Sequence, residues 1–162
     1  MKTAVVYYSM GGNTAMVAGK LAGTLSADLI SISPKRAYPD KGIRKFLWGG
    51  ESAVMAETPA LEPYTFSAEE YDLVILGFPV WASNIAPPVR TFIRDNLDAL
   101  KDKKIAAFAC ESGSGGEKAL DKLAGCLERG SLTATMILID PKDRPKPEND
   151  QKITAFLKQL QG

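Results

Sequence analysis

Histidine is absent from the 162 residues, which excludes a His-based catalytic triad and a His-ligated metal. Cysteine is scarce. Cys110 closes an apolar run and Cys126 lies in a helical pattern; two thiols in unlike settings predict no disulfide scaffold and a reducing, cytoplasmic location. Long apolar runs are missing as well, since none approaches the roughly 20 residues of a membrane span, so no membrane association is expected. An excess of charge is also lacking. With 20 basic and 19 acidic side chains and a net charge of +1, the chain has no bulk field to attract nucleic acid or an anionic bilayer. The opening "MKTAVVYYS" carries no small-residue cleavage site and reads as a first strand rather than an export signal.

What is present is a regular alternation. Five strand-sized apolar runs occur in order: "TAVVYY" (3 to 8), "ADLISI" (27 to 32), "DLVILG" (72 to 77), "KIAAFAC" (104 to 110) and "ATMILI" (134 to 139). Most are nearly continuous in apolar residues, as strands covered on both faces of a parallel sheet are. Amphipathic stripes lie between them: Val17, Leu21 and Leu25; Val89, Phe92, Ile93 and Leu97; Leu120, Leu123, Ala124 and Leu127; Ile153, Phe156, Leu157 and Leu160. Strand followed by helix, repeated, predicts an α/β doubly wound five-stranded parallel sheet in a single domain over 1–162. Pro87 and Pro88 suit the first turn of the second helix, where a missing N–H costs nothing. The connection from Ser33 to Tyr71 is too long for a plain loop and must carry structure. A helix over 40–55, broken at Gly49 and Gly50, and then an extended run through Pro59 and Pro63 are expected there. The stretch "PKDRPKPEND" (141 to 150) reads as a solvated, charged loop.

Ligands of such sheets bind beyond the carboxyl ends of the strands, where strand order reverses. Three loops at that edge carry unusual residues. "SMGGNT" (Ser9, Met10, Gly11, Gly12, Asn13, Thr14) offers hydroxyls, an amide, backbone N–H groups and the positive end of the helix that follows, and so can hold a phosphate without a cation. The lesser alternative is a plain turn in which Asn13 or Thr14 caps the helix. A Walker loop is excluded because Gly12 is followed by Asn13 and Thr14 instead of Lys and Ser/Thr, and a GxGxxG fingerprint is absent. The second loop, "FPVWASNIAPP" (78 to 88), places the Trp81 indole among Pro79, Val80, Ala82, Ser83, Asn84 and Ile85. Small neighbours there would leave its face free for a planar heterocycle, although a loop tryptophan is also a common core anchor. The third, "CESGSGG", supplies Glu111, Ser112, Gly113, Ser114, Gly115 and Gly116, whose backbone can approach a ring closely.

Together these loops resemble the flavodoxin family. "SMGGNT" is similar to its phosphate loop at Ser9, Gly12, Asn13 and Thr14, with Gly11 standing where the family usually has a hydroxyl; "GFPVWASNIAPPV" and "ACESGSGG" are similar to its two ring-covering loops. The resemblance implies strand order 2-1-3-4-5, the example the flavodoxin fold itself provides. It also implies FMN as cofactor, held by residues 9–14, 79–85 and 111–116, and no metal. It further implies an electron-transfer protein serving redox partner proteins or a small-molecule acceptor; the alternative is an FMN-dependent NAD(P)H:quinone-type oxidoreductase. Trp48, in the long connection, is expected to be an anchor rather than a flavin contact. Non-flavin readings fail at particular letters. A Cys-x5-Arg phosphatase loop starting at Cys110 would need arginine at Gly116, and no acidic pair follows the first strand to hold a receiver domain's Mg²⁺.

Overall fold

Each apolar run forms a strand: β1 Thr3–Tyr7, β2 Asp28–Ser31, β3 Leu73–Pro79, β4 Lys104–Glu111 and β5 Ala134–Ile139. These come from a computed structural model that describes residues 1–38 and 57–162. All pairings are parallel, and the order is β2-β1-β3-β4-β5. Register runs straight across the sheet, with Val5 opposite Leu29 and Ile75, and Ala106 opposite Ile75 and Ala134. The β1–β3 pair is the switch point, and the carboxyl ends of both strands point at one crevice.

Alternate residues of the central strands feed two cores. Val5, Ile75 and Phe108 face Val17 and Leu21 of α1 (Asn13–Leu25) and Phe156 and Leu160 of α4 (Glu148–Gln161). Val6, Leu76 and Phe78 face α2 (Pro87–Leu100) and α3 (Gly116–Cys126) through Val89, Phe92, Ile93, Leu120 and Leu123. Pro87 and Pro88 occupy the opening positions of α2. Coverage on both faces holds for β1, β3 and β4 but not for β2, where Asp28, Leu29 and Ser31 are exposed. Its apolar run fills an edge, and Leu29 stays 48% accessible.

The long connection returns against the sheet as an extended segment. Pro34 bridges Leu61, with Lys35 N–H on Ala60 O at 2.8 Å and Glu62 N–H on Ser33 O at 2.8 Å, before a 3₁₀ turn at Ala68–Glu70. Thr91 Oγ1 donates to Pro59 O at 2.8 Å and Asn96 Nδ2 to the Tyr64 hydroxyl at 3.0 Å, fastening the segment to α2. The helix expected over 40–55 and Trp48 lie outside the described residues.

One glycine inside β3 is required by close approach. Gly77 sits in register between Tyr7 and Phe108, and a Cβ there would overlap the fully buried Phe108 ring. The Phe108 ring therefore lies directly over the β3 backbone near its carboxyl end.

Candidate functional site

The first loop leaves β1 and reaches α1 through Gly12, which has φ +94°, a conformation that suits glycine alone among common residues. Ser9 Oγ accepts the Ala15 N–H at 3.1 Å, and the Met16 N–H bonds Gly12 O at 3.0 Å. The N–H groups of Met10, Gly11, Gly12, Asn13 and Thr14 find no acceptor among the described residues. Five unspent donors at a helix N-terminus form an anion cradle. Neither Asn13 nor Thr14 caps the helix. Asn13 Oδ1 instead accepts the N–H groups of Lys142 (2.7 Å) and Asp143 (3.3 Å), and its Nδ2 donates to Asp143 Oδ2 at 3.2 Å. Thr14 is 1% exposed, and its hydroxyl lowers the Cys110 thiol against the rise that burial imposes.

Burial pushes that thiol up to about 12, Thr14 pulling it down and Asp140 adding to the rise. Cys110 therefore stays protonated and inert near neutral pH, a small apolar wall rather than a nucleophile. In the folded protein an alkylating reagent at pH 8 should modify Cys126, which is partly exposed, and leave Cys110 unlabelled until denaturant is added. Peptide mapping of the alkylated chain reads this directly. Rapid labelling of Cys110 in the native state would show that the wall is open. Both thiols are free, as the sequence implied.

The second loop is a two-residue hairpin. Trp81 N–H donates to Asn84 O at 3.1 Å and Asn84 N–H to Trp81 O at 2.9 Å, with Ala82 and Ser83 at φ 50° and 59° between them. Two consecutive non-glycine residues in the left-handed region carry local strain that the surrounding contacts must hold. Part of that hold is visible in the third loop, where Gly115 (φ +96°) packs so tightly on Ser83 that a Cβ would lie 2.9 Å from Ser83 Oγ and 3.0 Å from its Cα. Glu111 anchors the other end, its Oε2 accepting the Gly116 N–H at 2.7 Å at the start of α3.

The Trp81 face is not left open. The indole is 2% exposed, and it meets Tyr38 and Tyr8 edge-on with ring centroids 5.3 and 5.8 Å away. Tyr8 directly follows β1 and Tyr38 comes from the long connection, so neither is a sequence neighbour and small adjacent residues gave no warning of them. Burial raises both phenols, Tyr38 to about 12 with Glu57 adding to the effect, so both stay neutral.

Nine of the residues singled out from sequence, Ser9, Met10, Gly11, Asn13, Thr14, Pro79, Val80, Trp81 and Ser112, line one cavity of about 140 Å³ with Cys110 and Asp140. Ser83, Glu111, Gly113, Ser114, Gly115 and Gly116 line an adjoining, wider one of about 580 Å³ with Glu117, Lys118 and Ile137. Gly12, Ala82, Asn84 and Ile85 line neither. Gly12 and Ala82 shape turns, Asn84 Oδ1 accepts from Arg90 Nη2 at 3.3 Å, and Ile85 is fully buried in the core.

The stretch read as solvated surface is part of the site. Lys142 to Glu148 are exposed, yet Pro141 is buried and the segment clasps two loops. Besides the Asn13 bonds, Ser112 Oγ donates to Asp140 Oδ1 at 3.1 Å, and Arg144 Nη2 reaches Asp140 Oδ2 at 2.6 Å and Ser112 O at 2.7 Å. Asp140 stands at the carboxyl end of β5, the same edge as the other three loops. That position was the available signal.

An N–H-lined cradle at the switch point, flanked by the loops that follow β3 and β4, lies where doubly wound sheets take their ligands. The sequence profile of the flavodoxin family matches residues 2–140, and the chain belongs to that family. Among solved structures it is similar to a protein of Bacteroides eggerthii (TM-score 0.80, 24% identity, 99% of this chain and 98% of that one covered). It is also similar to a Lactobacillus acidophilus flavoprotein in complex with FMN (0.62, 20%, 93% and 97%) and to two-electron reduced Megasphaera elsdenii flavodoxin (0.60, 18%, 97% and 96%). No curated protein sequence matches the chain. Among the described residues no helix is long and apolar enough to cross a membrane.

Proposed function

We propose that the protein is a one-electron carrier that holds FMN at this edge and passes electrons between redox partner proteins or to a small-molecule acceptor. FMN is the cofactor of its family, and the donor set fits it. The observation that carries the reading is the cradle of five N–H groups from Met10 to Thr14, with Gly12 left-handed beside it, opening into loops able to enclose a ring. Residues 9–14 would hold the phosphate, and 79–85 and 111–116 the ring system. The flavin supplies reversible one-electron chemistry when bound, while the protein sets binding, orientation and the surrounding field. Cys110 and Tyr8, held in neutral forms by burial, leave that field to Glu111, Asp140 and the charged clasp.

Near-neutral charge keeps the NAD(P)H:quinone-type reductase in view, because a carrier commonly finds its partner through a strong field of one sign and this chain carries +1. Anaerobic stopped-flow mixing of the FMN-loaded protein with NADH and NADPH separates the two. Slow bleaching on the timescale of seconds to minutes supports the carrier. Bleaching within milliseconds would replace it with the reductase.

Glu111 bears on the potential. A carboxylate beside the ring opposes an added electron. Glutamine can still accept the Gly116 N–H, so Glu111→Gln removes the charge and keeps the α3 contact. The second one-electron reduction is then expected at a less negative potential, with the shift shrinking as salt is raised. Redox titration of both proteins at two ionic strengths measures it. An unchanged potential would place Glu111 outside the ring's field.

A further inference from the structure

The first loop contains no cation, but the fold brings one to it. Lys142 Nζ lies 3.4 Å from Gly11 O, and it would sit 2.7 Å from a Cβ on Gly12. The ammonium and the end of its stem thus lie against the bend of the loop at Gly12. Among the described residues Lys142 pairs with no carboxylate, whereas the neighbouring Arg144 is committed to Asp140 at 2.6 Å. Its position is fixed from behind, because the backbone N–H groups of Lys142 and Asp143 both donate to Asn13 Oδ1. The surroundings also make a cation useful. Asp140 lines the cavity and the Asp143 carboxylate bonds the Asn13 amide, so a dianionic phosphate entering the cradle meets two acids, one of them neutralised by Arg144.

We propose that Lys142 is a specificity-determining residue for the cofactor's phosphate. It pairs with a phosphate monoester seated on the N–H groups of residues 10–14 and so favours FMN over the unphosphorylated flavin. This deepens the FMN reading and rests on it. Lysine acts here as a point charge, not as part of a bidentate fork, so arginine should substitute for it only in part.

The test is flavin fluorescence quenching with wild type, Lys142→Gln and Lys142→Arg, titrated with FMN and with riboflavin over a series of KCl concentrations. Lys142→Gln is expected to weaken FMN binding about tenfold, the scale of one lost charge-assisted hydrogen bond, and to leave riboflavin affinity within about twofold. The salt dependence of FMN binding should become shallower in the same variant, and Lys142→Arg should recover part of both effects. Because the Asn13 bonds use the Lys142 backbone, the thermal midpoint of Lys142→Gln serves as a check that the clasp is intact. Equal losses for FMN and riboflavin would overturn the proposal by making Lys142 structural. Unchanged FMN affinity and salt slope in Lys142→Gln would overturn it while leaving FMN binding in place. A wild type that takes up neither flavin would overturn the FMN reading and the proposal with it.

Discussion

Trp81→Ala is expected to destabilise the apoprotein by about 3 to 5 kcal/mol, the range for truncating a large buried aromatic, and to weaken FMN binding as well. The reasoning starts from its 2% exposure and its edge contacts with Tyr8 and Tyr38. Removing the indole leaves a void beneath a hairpin whose two central residues are already strained. It also removes the anchor that ties the β3 loop to the end of β1. Trp81→Phe keeps an apolar ring there and should recover most of the loss. Urea unfolding of the apoproteins gives the stability change, and fluorescence titration gives the affinity. A variant that loses FMN affinity by the 1 to 3 kcal/mol of a lost stacking partner, yet unfolds like wild type, would make Trp81 a ligand contact and not an anchor.

Gly77→Val should also be severe, at about 3 kcal/mol, the upper end of the usual range for overpacking. The added atoms collide with the Phe108 ring in the middle of the sheet, and neither β3 nor β4 can retreat because both are covered on two faces. Gly23→Ala provides the contrast within the same chain. Gly23 lies in α1 with no atom within 4 Å of its missing Cβ, so alanine there should stabilise the protein by roughly 0.5 to 1 kcal/mol. Denaturant midpoints for the two variants are expected to move in opposite directions. Parallel shifts would mean that close approach across β3 and β4 is not what selects glycine at position 77.

The fold was legible because its signals are local and repeated. Apolar runs of strand length, stripes of helical period and paired prolines at the start of α2 each report on their own neighbourhood, and all five strands appear where they were expected. The bend that carries the N–H cradle was legible for the same reason, since Gly11, Gly12, Asn13 and Thr14 are contiguous. What escaped was assembled from distant residues. The crowding of Trp81 depends on Tyr8 and Tyr38, and the docking of Lys142 and Arg144 depends on Asn13, Ser112 and Asp140. A charged, proline-rich stretch looks the same in sequence whether it is solvated or laid across a crevice; only the parallel alignment of β5 with β4 brings it to the site. The edge character of β2 was only half visible: Asp28 and Ser31 interrupt its apolar run, but Leu29 reads as a core position and is 48% exposed.

The bonds from Asn13 to Lys142 and Asp143 also tie the cradle to a distant part of the chain. They join positions 129 and 130 residues apart, so the clasp closes a loop that contains β2, β3, β4 and β5. Contacts of such long range form late in folding, after the intervening loop entropy has been overcome. Until that loop closes the cradle lacks its clasp, so the ends of β1 and β5 must both be in place before the site is complete.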